Sequence, residues 1–218
     1  MLMETERTEI IKYAKLMAAR GLTRGTGGNI SRIARESGYV AITPTGVEYD
    51  ALEPEDIPVV DLRHNVVEGG LLPSSELNMH LACYEARPDV RAVVHTHSTY
   101  ATLMACLGKP IEPIHYLIGF AGGEVPVTPY IIFGTETLAQ EAVRIMGASR
   151  NAVLLGNHGL LAVGKNLPAA FNVAEETEFV AELNYKAMCV GGCKTISEEL
   201  FRETMVKFET YGQQLGGR

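Results

Sequence analysis

The run Ala92-Val93-Val94-His95-Thr96-His97 sets the strongest constraint on how this chain can fold. Its short, uninterrupted series of apolar, mostly β-branched residues reads as a buried strand, which needs cover on both faces. Successive side chains of a strand point to opposite faces, so His95 and His97 share one face and both imidazoles can reach one cation. Among six histidines a single His-x-His is as readily chance. A second run, Leu154-Leu155-Gly156-Asn157-His158-Gly159-Leu160-Leu161, adds His158, a polar residue between glycines and apolar strand residues. That setting points to an imidazole delivered from a sheet into a cleft, the alternative being a hydrogen-bonded core histidine. Three nitrogens leave a tetrahedral cation one position short.

The remainder of the chain supplies layers for such a sheet. Thr5 to Arg20 has helical spacing, with Ile10, Ala14 and Met17 on one face and Gly21 as its stop. Asn29 to Ile33 and Tyr39 to Thr43 read as paired strands, and Ile57 to Asp61 as another, followed by a bend at His64-Asn65. Helices are predicted from Ser75 to Ala86, capped by Ser74 or Ser75, then from about Tyr100 and from Thr135 to Met146. A strand from Val153 to Leu155 precedes two closing helices, Pro168 to Val190 and Glu198 to Tyr211. The order predicts a single α/β domain over 1–218, a three-layer sandwich with a mainly antiparallel sheet between helical layers.

Charge and composition remove several function classes. A net charge of −7 without a Lys/Arg cluster argues against a protein that coats nucleic acid or an anionic membrane. The N-terminal residues lack a basic start and apolar core, and no stretch approaches about 18 apolar residues, so a cytoplasmic location is expected. The four cysteines, Cys83, Cys106, Cys189 and Cys193, form no Cys-x-x-Cys pair and are expected as reduced core thiols.

Three small-residue stretches suit an anion. In Leu72-Pro73-Ser74-Ser75-Glu76, two hydroxyls stand at a helix start, whose free N–H groups and partial positive charge can hold a phosphate without lysine. Taken singly, the same residues make an ordinary helix cap. Gly25-Thr26-Gly27-Gly28-Asn29 and Thr43-Pro44-Thr45-Gly46 let backbone amides approach closely and add neutral donors. No Gly-Lys-Ser/Thr follows them, and a helix rather than a strand precedes the glycines, so neither is a nucleotide fingerprint. Together with three histidines they point to a combined metal and phosphate site.

These motifs, with Ile114-His115-Tyr116, Ala121-Gly122-Gly123, Phe133-Gly134-Thr135 and the tail Lys207-Phe208-Glu209-Thr210-Tyr211-Gly212, resemble the class II aldolase/adducin family over nearly the whole chain. The resemblance implies one Zn2+ per subunit on His95, His97 and His158, with Glu76 as fourth ligand or as the carboxylate that moves the proton. It implies a phosphate pocket of Gly28, Asn29, Thr45, Gly46, Ser74 and Ser75. Tyr116, supplied across a subunit boundary, would exchange a proton with the aldehyde oxygen, and Tyr211 would close over the aldehyde half. The sugar's far carbons would meet residues near Ile132, Phe133 and the tail. A homotetramer with sites between subunits follows from the same resemblance.

The implied reaction is reversible cleavage of a ketose 1-phosphate, L-fuculose 1-phosphate first, to dihydroxyacetone phosphate and L-lactaldehyde. An enediolate arises on the way, and zinc would offset its charge. L-Rhamnulose-like, L-ribulose and 5-deoxypentulose phosphates would share these motifs. L-Ribulose-5-phosphate 4-epimerases are the rival within the superfamily, but they carry aspartate where Glu76 stands. A non-catalytic adducin-like interaction module would lack the three histidines.

Overall fold

Local patterning resolves into alternating helices and strands in the computed structural model, which describes residues 1–208. The order is α1 (Glu4–Ala19), β1 (Asn29–Ala34), β2 (Tyr39–Ile42), β3 (Val59–Val60), β4 (Val66–Glu68), α2 (Leu77–Ala86), β5 (Ala92–Thr96), α3 (Thr99–Cys106), α4 (Glu136–Met146), β6 (Ala152–Leu155), β7 (Gly159–Gly164), α5 (Leu167–Cys189) and α6 (Glu198–Phe208). The strands form one sheet in the order β4-β3-β2-β1-β5-β7-β6. Every neighbouring pair is antiparallel.

The histidine-bearing strand β5 lies between β1 and β7, with Asn29 opposite His95 and Leu160 opposite Thr96. Its period-two pattern divides the core. Ala92 and Val94 join Ile30, Leu160 and Ala162 on the face packed with residues of α1, α3 and α5. Val93 joins Ile33, Ile42, Leu161 and Val163 on the face covered by α2 and α4. Val93 and Val94 are fully buried, and each such side chain contributes roughly 1.5–3 kcal/mol by leaving water. The expected three-layer sandwich with an antiparallel sheet is the observed fold.

α1, α4 and α5 begin and end within about two residues of expectation, and α3 begins within one, which is the usual fraying error. Thr135 caps α4 by accepting a hydrogen bond from the Leu138 amide. The strand expected from Ile57 to Asp61 shortens to Val59–Val60, because Pro58 has no N–H for a ladder and the β3–β4 register shifts between Val59 and Val60. The helix expected from Ser75 starts at Leu77; neither serine stands at its N-cap, but Ser74 Oγ accepts a hydrogen bond from the Glu76 amide in the turn before it. Glu76 holds the N-cap position with φ −103° and ψ 18°, leaving its carboxylate free of capping. Residues Tyr116–Ala121, given no element from sequence, form a 3-10 helix whose first turn is capped by His115 Nδ1 accepting from the Leu117 amide.

Cys83 is a buried free thiol as expected, but Cys106, Cys189 and Cys193 are exposed, standing at or beyond the last turns of α3 and α5 rather than in the core. Among the described residues no helix is long and apolar enough to cross a membrane.

Candidate metal centre

Each histidine is positioned by backbone. His95, near the end of β5, follows Val93 onto the α2 face. Its Nδ1–H donates to the Leu160 carbonyl on β7 at 2.9 Å, which leaves the Nε2 lone pair facing inward. His97 lies just beyond the strand, where a Cβ on Gly27 would come 2.8 Å from its Nδ1, so only glycine lets that loop pass. His158 occupies the β6–β7 hairpin next to Asn157, which adopts a left-handed φ of 53°. A Cβ on the following Gly159 would collide with the Thr96 carbonyl and reach 2.9 Å from His97 Cδ2.

Glu76 completes the group from the start of α2. Its Oε2 lies 3.1 Å from His95 Nε2 and its Oε1 3.3 Å from His158 Nε2. The His95 and His97 Nε2 atoms are 2.9 Å apart. One donor atom from each of the four residues falls within 4.8 Å of the others. Burial alone would raise the Glu76 pKa, but His95 and His158 opposite it and the Asn29 amide outweigh that and hold it well below the usual carboxylate range. Burial, reinforced by the charge of His95, pushes both His97 and His158 down to about 4. His95 is shifted upward, because Glu76 and the Leu160 carbonyl favour its charged form more than burial opposes it.

Metal capacity can be tested on the protein's own atoms. Glu76 Oε1 is buried and accepts no hydrogen bond, a costly state for a carboxylate oxygen unless a cation lies against it. Three imidazole nitrogens facing a carboxylate are a zinc donor set, and they leave room for a substrate oxygen. The residues fit a divalent metal.

The cluster opens into a cavity of about 360 Å³. Gly28, Asn29, Thr45, Gly46, Ser74 and Ser75, the six residues expected to hold an anion, all line it beside Glu76, His97 and His158. The glycine loop is tied down by Tyr49, whose OH donates to the Gly27 and Gly28 carbonyls at 2.8 and 2.7 Å, and by Thr23 Oγ1 donating to Gly27. Gly28 has φ +72° and passes so close to β5 that a Cβ would sit 2.7 Å from the His95 carbonyl. A larger groove of about 650 Å³ beside Asp89, Lys165 and Asn166 contains none of the clustered ligands.

Tyr116 stands apart from this cavity. It is 44% exposed at the start of the 3-10 helix, its ring 4.7 Å from that of His115 and 6.3 Å from that of Phe208. Phe133 lines the cavity mouth at 61% exposure, next to the exposed Ile132. Tyr211 lies outside the described residues. Sequence reasoning missed Tyr49, which no motif marks, and His80, which a helical spacing could have revealed. His80 stands four residues after Glu76, so the two project from neighbouring turns.

Residues 8–185 match the family described as Class II Aldolase and Adducin N-terminal domain. The chain is 49% identical over 214 residues to a 5-deoxy-D-ribulose 1-phosphate aldolase of Bacillus thuringiensis serovar kurstaki, covering 98% of this chain and all of that protein. It is 39% identical to an L-fuculose phosphate aldolase of Escherichia coli O6:H1 over 209 residues, 95% of each chain. A solved L-fuculose 1-phosphate aldolase superposes with a TM-score of 0.91 at 43% identity, over 94% of this chain and 96% of that one. The protein belongs to the class II aldolase and adducin family. Within it, it is an aldolase, an enzyme of the aldehyde-lyase class, rather than a non-catalytic adducin-like module.

Proposed function

We propose that this aldolase reversibly cleaves methyl-terminated ketose 1-phosphates between C3 and C4, releasing dihydroxyacetone phosphate and a short aldehyde, with Zn2+ as its metal. The observation that carries the reading is that the Glu76, His95, His97 and His158 cluster opens, through Glu76, His97 and His158, into the same cavity that the six small or polar residues of the anion pocket line. Gly28, Asn29, Thr45, Gly46, Ser74 and Ser75 would anchor the phosphate. Binding energy from this remote group then becomes orientation at the bond being broken.

His95, His97 and His158 would hold the zinc, which supplies positive charge against the negative charge that develops on the triose fragment. Glu76 borders both cluster and cavity. Its carboxylate would return a proton to C3 after cleavage and remove it in the condensation direction. Tyr116, exposed and outside its own chain's cavity, would serve a neighbouring subunit by exchanging a proton with the aldehyde oxygen. That arrangement requires an oligomer with sites at subunit boundaries, and a homotetramer satisfies it.

5-Deoxy-D-ribulose 1-phosphate, giving acetaldehyde, is the first choice of substrate, supported by the 49% identity over the full length. L-Fuculose 1-phosphate, giving L-lactaldehyde, is the second, supported by the 39% relative and the solved structure. Both sugars end in a methyl group, for which Phe133 offers apolar surface at the cavity mouth. Zinc-loaded and chelator-treated enzyme should be given each ketose 1-phosphate and L-ribulose 5-phosphate, following triose phosphate release and inversion at C4. Zinc-dependent release from the first two is expected. Inversion of L-ribulose 5-phosphate without release would replace the aldolase reading with an epimerase.

A further inference from the structure

Behind the cluster, a file of polar side chains runs through the α2 face of the sheet to Asn29 and Glu76, and its inner members Tyr84, Ser31 and His80 have no role in the reaction described above. Tyr84 OH is 2.7 Å from Ser31 Oγ, Ser31 Oγ is 2.6 Å from His80 Nδ1, His80 Nε2 is 2.5 Å from Asn29 Oδ1, and Asn29 Nδ2 is 2.9 Å from Glu76 Oε2. All five residues are buried, with Ser31 and His80 fully so. A wet or charged arrangement at this depth would be costly, so each donor must meet an acceptor.

Chemistry fixes the direction of every bond in the file. The Glu76 carboxylate can only accept, so Asn29 must turn its NH2 toward it and its carbonyl toward His80. That carbonyl can only accept, so His80 must carry its proton on Nε2. Burial keeps the His80 imidazole neutral, pushing its pKa down to about 3; its Nδ1 is therefore an acceptor and Ser31 must donate to it. The Ser31 oxygen in turn receives the Tyr84 proton. Only one tautomer of His80 is compatible with the rest.

The geometry points to His80 as the positioning residue of the site: through Ser31 on one side and the Asn29 amide on the other, it holds Glu76 by Oε2 and leaves Oε1 as the free oxygen of the cluster. This rests on the reading of the cluster as a metal centre. Without the His80 donor, the Asn29 amide is free to rotate and present its carbonyl to the carboxylate, which repels it. The same turn would disturb the anion pocket, since Asn29 also lines the cavity. Partners that orient ligands in this way typically change metal affinity by about 10–100-fold.

Two measurements test the assignment. Nitrogen-15 NMR of the metal-free wild type should place the His80 proton on Nε2; a proton on Nδ1 would overturn the assignment whatever the metal does. Zinc affinity, read by competition with a chromophoric chelator, should fall about 10–100-fold in His80→Leu and recover most of that in His80→Gln, which keeps one donor and one acceptor. The double variant His80→Leu/Asn29→Ala should bind no more weakly than Asn29→Ala alone, because His80 acts through Asn29. Additive losses would make His80 a packing residue only. If His80→Leu does not melt cooperatively, Ser31→Ala takes its place and should weaken zinc binding in the same direction; unchanged affinity would count against the relay. A wild type that binds no zinc would defeat the metal reading and leave the tautomer measurement to decide the relay.

Discussion

On the deep side of the cavity, His95, Glu76 and Asn29 are buried, and each is fixed by a hydrogen bond to another buried group or to strand backbone. On the rim, Phe133 and the neighbouring Ile132 are exposed, and Tyr116 is exposed away from the cavity, its ring near those of His115 and Phe208. Asn29 and His95 cannot move without disturbing the β1–β5–β7 ladder, and Glu76 is held to it through Asn29. The rim groups can be exchanged with little effect on the fold. On the proposed reading, the chemistry would thus sit where the sheet dictates position, and discrimination between sugars where it does not.

Metal removal should have the largest effect, because it acts only on the deep side. Chelated enzyme should lose triose phosphate release entirely and melt at lower temperature, since a ligand at about 100 times its Kd stabilises the folded state by about 2.7 kcal/mol. A melting curve indifferent to zinc would mean that the ion is not held by the folded protein. Glu76→Gln should come next, retaining much of the zinc on three imidazoles while cleavage falls roughly 10²–10⁴-fold; near-normal turnover would remove Glu76 as the proton carrier. Tyr116→Phe should lower kcat by about a hundredfold while sparing binding of the phosphate end, measured with dihydroxyacetone phosphate as inhibitor. If kcat is unchanged, this exposed tyrosine has no part in the chemistry. Phe133→Ala should have the smallest effect, altering the kcat/KM ratio between the two methyl-ended sugars by roughly tenfold and leaving zinc content as it was. A loss of zinc in that variant would show that rim and deep side are coupled.

The same division explains what could be read from the sequence. His95 and His97 were legible because a strand has a period of two, and their shared face needs no tertiary information. The candidate anion pocket was legible only when its three stretches were taken together, because glycine, serine and asparagine are also the ordinary residues of turns and helix caps. The exact start of α2 was not, since two serines before a glutamate look like a cap, whereas the chain continues two residues further and spends Glu76 on the cluster instead. Tyr49, Ser31 and Tyr84 carry no local signal: each matters through a partner at least 20 residues away in sequence, such as Gly28 or His80. The β6–β7 hairpin was half visible, as apolar residues around Asn157-His158, while its pairing with β5 depended on sheet order.

That pairing has a consequence in time. The His95 ring is set by the Leu160 carbonyl, 65 residues further along the chain, and His158 reaches the cluster only when β7 has zipped onto β5. Contacts of such long range form late, because the intervening loop must close before they are rewarded. A nascent chain would therefore offer a metal no finished cradle until the strand that bears Leu160 has emerged and docked, so that ion capture would follow the docking of β7 rather than seed it.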